Sequence, residues 1–145
     1  SGSSIHASSW RRRFVRDPDN YDYAIVRVVP RVEREEFVNV GVVVSCPARN
    51  FLKARFAIDE SRLRALDPHI DMETIRAHTS SISAICEGGP QAGPLGQLSQ
   101  RERFHWIVAP RSTIIQTSPV HTGKCDDPDA LIEHLLDKMV RVPKL

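Results

Sequence analysis

The run from Phe37 to Cys46 places an apolar residue at every second position. Val38, Val40, Val42, Val44 and Cys46 fall on one face of an extended chain, and Phe37, Asn39, Gly41, Val43 and Ser45 fall on the other. Period-two patterning is the signature of a strand, and an apolar face this continuous has to be covered. The run therefore calls for a sheet with something packed on it. Gly41, in mid-strand, marks a bulge or the close approach of another group.

The flanking segments supply strand partners. Tyr21–Val29 is rich in aromatic and β-branched residues, with Tyr21, Tyr23, Ile25, Arg27 and Val29 on one face. Arg27 is thus an arginine among apolar neighbours. Buried unpaired it would be prohibitive, so it needs an acid of this chain or a ligand. Pro30–Glu36 is a charged connection, and an antiparallel hairpin would bring Asn39 across to Arg27. Phe51–Ile58 reads as a third strand, with Leu52, Ala54, Phe56 and Ile58 inward and Lys53 and Arg55 on a solvated face.

Helical signals follow. Asp59 caps a short helix through Leu66, and a longer one starts near Asp71, with Met72, Ile75, His78 or Thr79, Ile82 and Ile85 at helical spacing. His78 reads as a packed histidine on that stripe. Ser99 and Glu102 form a capping box that opens one helical turn. Phe104–Ala109 and Thr113–Thr117 then read as a second hairpin turned at Pro110-Arg111, and Pro119–Asp126 as irregular chain. Asp127 with Pro128 opens the last helix, whose apolar stripe runs through Leu131, Ile132, Leu135, Leu136, Met139 and Val140.

Hairpin-linked strands with helices grouped between and after them give the α+β class. The expectation is one domain over residues 21–145: a mainly antiparallel sheet of about five strands with helices on one face. Residues 1–20, with Trp10, Arg11, Arg12, Arg13, Phe14 and Arg16, read as a basic arm. At 145 residues the chain is long enough for one core. Lys plus Arg is 20 against Asp plus Glu at 18, a net charge of +2 that by itself implies neither nucleic acid nor an anionic membrane as partner. Three widely spaced cysteines, Cys46, Cys86 and Cys125, point to reduced thiols in a cytoplasm. No apolar run is long enough for a membrane span, and the first segment has no apolar core, so no signal peptide is expected.

The densest concentration of ligand-holding groups lies between Arg101 and Asp127: Arg101, Arg103, His105, Arg111, Ser112, His121, Thr122 and Lys124. Gly123-Lys124 imitates the end of a phosphate loop, but Ser118 stands where its first glycine belongs and Cys125 replaces the Ser or Thr. His121 and Cys125 with His105 fall short of a four-ligand zinc set, so neither a metal nor a cofactor is expected. Cys125 or Ser112 beside His121 or His105 makes a nucleophile–base pair conceivable, yet no nucleophile signature surrounds them. Anion binding is the more economical use of these residues, since arginine grips phosphate and carboxylate in a bidentate fork. The competing use is pairing with the chain's own acids. The candidate ligand-binding set is Arg27, Asn39, Arg103, His105, Arg111, Ser112, His121 and Thr122.

The blocks YDYAIVRVVPRVEREEFVNVGVVVSC and RERFHWIVAPRSTIIQTSPVHTGKCDDP, with FLKARFAIDESRLRAL between them, resemble an uncharacterised bacterial family, domain of unknown function 3037. The resemblance runs from Tyr21 to the last helix. It carries over no catalytic residue. It implies, by analogy, an accessory or regulatory role beside a HipA-like kinase protein.

Three functions remain in view. The first is a binding module with a protein partner and an anionic group at the Arg/His cluster. The second is an enzyme on a phosphate-bearing or nucleic-acid substrate, with His105 or His121 as acid–base and Arg27 and Arg111 as clamp. The third is a nucleic-acid binder using the basic arm. The enzyme requires Arg27, Asn39, His105, Arg111 and His121 to meet in one pocket.

Overall fold

The computed structural model describes residues 19–111 and 113–141. The Trp10–Arg16 arm and Ser112 lie outside them. Among the described residues the chain forms β1 (Asp19–Val28), β2 (Val38–Cys46), β3 (Phe51–Phe56), α1 (Glu60–Leu66), α2 (Met72–Glu87), α3 (Gln100–Val108), β4 (Ile115–Thr117), β5 (His121–Cys125) and α4 (Pro128–Met139). The five strands make one antiparallel sheet in the order β3-β2-β1-β4, with β5 also on β1. The α+β class and the single domain are as the patterning predicts.

Each helix starts where a side chain takes up its free N–H groups. Asp59, Asp71 and Asp127 accept from the first turns of α1, α2 and α4, and Ser99 and Glu102 close a full capping box on α3.

The apolar face of β2 is not continuous. Val26 pairs with Gly41 and Arg27 with Asn39, so Val40 is an extra residue, a β-bulge. The bulge shifts the alternation by one. Val38, Val40 and Val43 pack with Leu63, Ile75 and Phe104 of α1–α3, while Val42, Val44 and Cys46 pack with Ile132, Leu135 and Leu136 of α4. The sheet is therefore covered on both faces rather than one, because both faces of β2 are apolar on either side of the bulge. Gly41 also permits the close approach that its position suggests. A Cβ there would lie 2.3 Å from Phe56 Cδ1 and 2.7 Å from the Arg55 carbonyl oxygen.

The segment 104–109 corrects the predicted second hairpin. It is helical through Val108, with Phe104 and Ile107 buried three apart. Its β-forming side chains follow the capping box because helical spacing buries them and strand spacing would not. The strand expected there is supplied instead by His121–Cys125, a stretch expected to be irregular. β4 and β5 share one edge of β1, pairing with Val26–Val28 and Asp19–Tyr23 respectively. Ser118 bridges the gap between them. Its N–H donates to the Ile25 carbonyl at 2.8 Å, and its hydroxyl accepts from the Ile25 N–H at 2.9 Å.

On the α4 face, Lys53 and Arg55 do not stand free. They reach Asp129 at 3.2 Å and Glu133 at 2.7 Å. Both pairs are about half exposed, so each is worth about 0–1 kcal/mol.

Candidate functional site: two arginines on aromatic rings

Most described arginines meet an acid, among them Arg31 with Asp67, Arg49 with Asp19, Arg64 and Arg76 with Glu60, and Arg141 with Asp137. Arg27, Arg62, Arg101, Arg103 and Arg111 have no carboxylate ion pair among the described residues, and three of them, Arg27, Arg103 and Arg111, belong to the candidate set.

Arg103 has an internal use. From α3 it donates to the carbonyls of Ile85 at 2.7 Å, Cys86 at 2.6 Å and Leu98 at 3.2 Å. The first two are free acceptors at the C-terminal end of α2, where a cation also opposes the helix dipole.

Arg111 ends the turn after α3. Its guanidinium lies 4.2 Å from the centre of the Trp106 ring and donates to the carbonyls of Trp106 and Ile107. Arg27 lies 4.1 Å from the centre of the Phe37 ring. Stacking fixes a guanidinium while leaving N–H groups at its edge free to bond.

Each stack borders its own concavity. The Arg111 cleft, about 400 Å³, has an apolar floor from Ile82, Ile85, Leu95 and Ile115, with His78, Ser81, Gln91 and Thr113 around it. The Arg27 slot, about 320 Å³, is lined by Val29, Val32, Glu35, Phe37 and Gln116. The two lie on opposite faces of the sheet, since β4 sends Ile115 into one and Gln116 into the other.

The eight candidate residues therefore do not converge. Arg27 and Asn39 face each other across β1 and β2, on the face that α4 covers in part. Asn39 Nδ2 donates to the Met139 carbonyl at 3.0 Å. His121 packs on Tyr23, ring centres 5.2 Å apart, and Thr122 donates to Asp22 at 2.7 Å. Arg103, His105 and Arg111 belong to the other face, and His105 is exposed on α3. Ser112 is outside the described residues. The five residues required for the enzymatic pocket are thus divided between the two faces.

The remaining chemistry is equally informative. Burial first, and then Cys46, push the Cys125 thiol up, although Arg49 opposes the shift. A nucleophilic cysteine needs the opposite shift. Cys125 and His121 sit four apart on β5, about 13 Å at strand rise, too far to share one metal ion. Gly123-Lys124 lies within that strand rather than in a loop before a helix. No group of three or more metal-binding side chains occurs among the described residues, and no described helix is long and apolar enough to cross a membrane.

The sequence pattern does not single out Trp106 or Phe37 as ligand-holding, because it places Trp106 in a predicted strand and Phe37 at a strand end. His78 moves as well. Thr79 takes the buried stripe position on α2, leaving His78 exposed beside the Arg111 cleft.

No curated protein and no solved structure matches the chain. A family model does match, over residues 23–140, and the segment it covers includes both arginine–aromatic stacks. The chain belongs to that family, described as protein of unknown function (DUF3037).

Proposed function

We propose that this chain is a binding module that takes up an anionic ligand in the Arg111–Trp106 cleft. The observation that carries the reading is Arg111 itself. It is stacked, anchored by two carbonyls and without a carboxylate partner among the described residues, at the edge of a concave, apolar-floored site. Ligand sites have this make-up: an apolar lining with a few convergent polar groups. A phosphate or carboxylate would meet the free edge of the guanidinium, and the apolar part of the ligand would cover Ile82, Leu95 and Ile115.

The test is a titration of the full chain with phenyl phosphate and with phenol, followed by backbone amide shifts. Phenyl phosphate is expected to shift Ser81, Trp106 and Thr113, phenol to bind more weakly, and Arg111→Gln to remove the difference. Equal binding of the two compounds, or an Arg111→Gln chain that still prefers phenyl phosphate, overturns the proposal.

The protein partner belongs to the same proposal and rests on family resemblance alone. A HipA-like kinase protein is the expected one. Capture of the native chain from its host, with identification of what accompanies it, tests that part.

A further inference from the structure

The Arg27 slot differs in kind from the Arg111 cleft, and we infer that it docks an acidic, apolar-flanked segment of a protein partner. Its walls come from the connection between β1 and β2. A short 3-10 turn at Val32–Arg34 ends on Glu35 in the left-handed region, φ 56°, and the connection brings Val32 and Phe37 into the slot with Arg27. Both residues are 46% exposed.

The loop carries three glutamates, but none neutralises Arg27. Glu36 is bound by Arg34, Glu33 is exposed, and Glu35 lines the slot without an ion pair to Arg27 among the described residues. Gln116, on the opposite wall, is tied back to the Thr113 carbonyl at 3.0 Å. A half-buried cation therefore lines a slot with two exposed apolar residues and has no ion pair to a carboxylate among the described residues.

Charge complementarity selects the occupant. A partner carboxylate supplies what Arg27 lacks, and apolar side chains beside it cover Val32 and Phe37. Arginine and aromatic residues dominate protein–protein hot spots for this reason. A free small acid would satisfy the charge and leave the apolar walls wet. A run of acids would be repelled by Glu33 and Glu35. The fitting segment is one carboxylate between apolar neighbours.

The test uses the full chain with two acetylated, amidated tripeptides, Leu-Glu-Leu and Leu-Gln-Leu, and with sodium acetate, followed by amide shifts. Leu-Glu-Leu is expected to move Val28, Phe37 and Gln116 and to bind roughly tenfold more tightly than Leu-Gln-Leu, the factor for one charge-assisted pair. Arg27→Met removes the guanidinium charge and with it that preference. Phe37→Ser, at an exposed position, weakens both peptides and guards against an Arg27 variant that fails to fold. Equal affinity of the two peptides, shifts confined to another surface, or acetate binding as tightly as Leu-Glu-Leu would each overturn the inference.

Discussion

Arg27 and Asn39 stand opposite each other in the β1–β2 pair, yet their side chains do not bond. Arg27 stacks on Phe37, and Asn39 reaches back to the Met139 carbonyl. Arg27 Nε and Asn39 Oδ1, a donor and an acceptor on facing residues, are both buried without partners among the described residues. An unmade bond of this kind costs about 1–3 kcal/mol.

Arg27→Met should leave stability within about 1 kcal/mol of the parent, because the lost guanidinium stack on Phe37 is offset by the disappearance of an unpartnered buried N–H. Urea unfolding reads the difference. A loss above about 2 kcal/mol would show that Arg27 has an internal structural role after all.

Ser118 illustrates the reverse case, a polar side chain completing a ladder. Its hydroxyl is the acceptor for the Ile25 N–H, in a position 6% exposed. Ser118→Ala strands that buried donor and should cost about 1–3 kcal/mol. Hydrogen exchange at the Ile25 amide should accelerate more than at Val26, whose amide faces β2. Unchanged exchange at Ile25 would sink this assignment.

The same contrast explains what the sequence disclosed. Helix starts were legible because Asp59, Asp71, Ser99 and Asp127 act on groups within three residues of themselves. Gly41 marked the bulge beside it because a glycine in mid-strand packs no side chain. The helix at Phe104–Val108 was hidden, since a short apolar run fits both periods and only the neighbouring α2 selects one. β5 was hidden because its exposed residues His121, Thr122 and Lys124 are polar and Gly123 carries no side chain to mark the inward face, so no apolar alternation announces the strand. Of the candidate residues, Arg27 and Arg111 could be singled out by their surroundings. Their aromatic partners could not, because each stack depends on how a turn folds back.

Gly41→Ala tests the bulge. The added methyl meets both a side chain and a backbone oxygen, so it should cost at least about 1–3 kcal/mol. Phe56→Ala in the same chain should restore only part, since the Arg55 carbonyl at 2.7 Å remains. A double-mutant cycle measures this, and full rescue would show that the side chain alone is the obstacle.

Arg103 is predicted to be structural. Arg103→Met leaves two carbonyls at the end of α2 without their donor and should cost about 1.5–3 kcal/mol, the range for bonds to a charged group. Phenyl phosphate affinity, measured where the variant is folded, should not change. A selective loss of that affinity at unchanged stability would return Arg103 to the ligand site.

Cys86 links this region to alkaline stability. Burial pushes its thiol up to about 12, with nearby Arg103 opposing the shift and Glu87 adding to it. Above the ordinary value of 9.0 the unfolded thiol ionises while the folded one keeps its proton. The folded state then binds more protons, so stability falls as pH rises from about 9 towards 12, by up to about 1.4 kcal/mol per pH unit. Burial also raises Tyr21 and Cys125, so the parent's slope is not due to Cys86 alone. Cys86→Ala isolates its share. Urea unfolding between about pH 8 and 10.5 should give a shallower decline for the variant than for the parent. Parallel declines would mean that the Cys86 thiol ionises in the folded chain as readily as in the unfolded one.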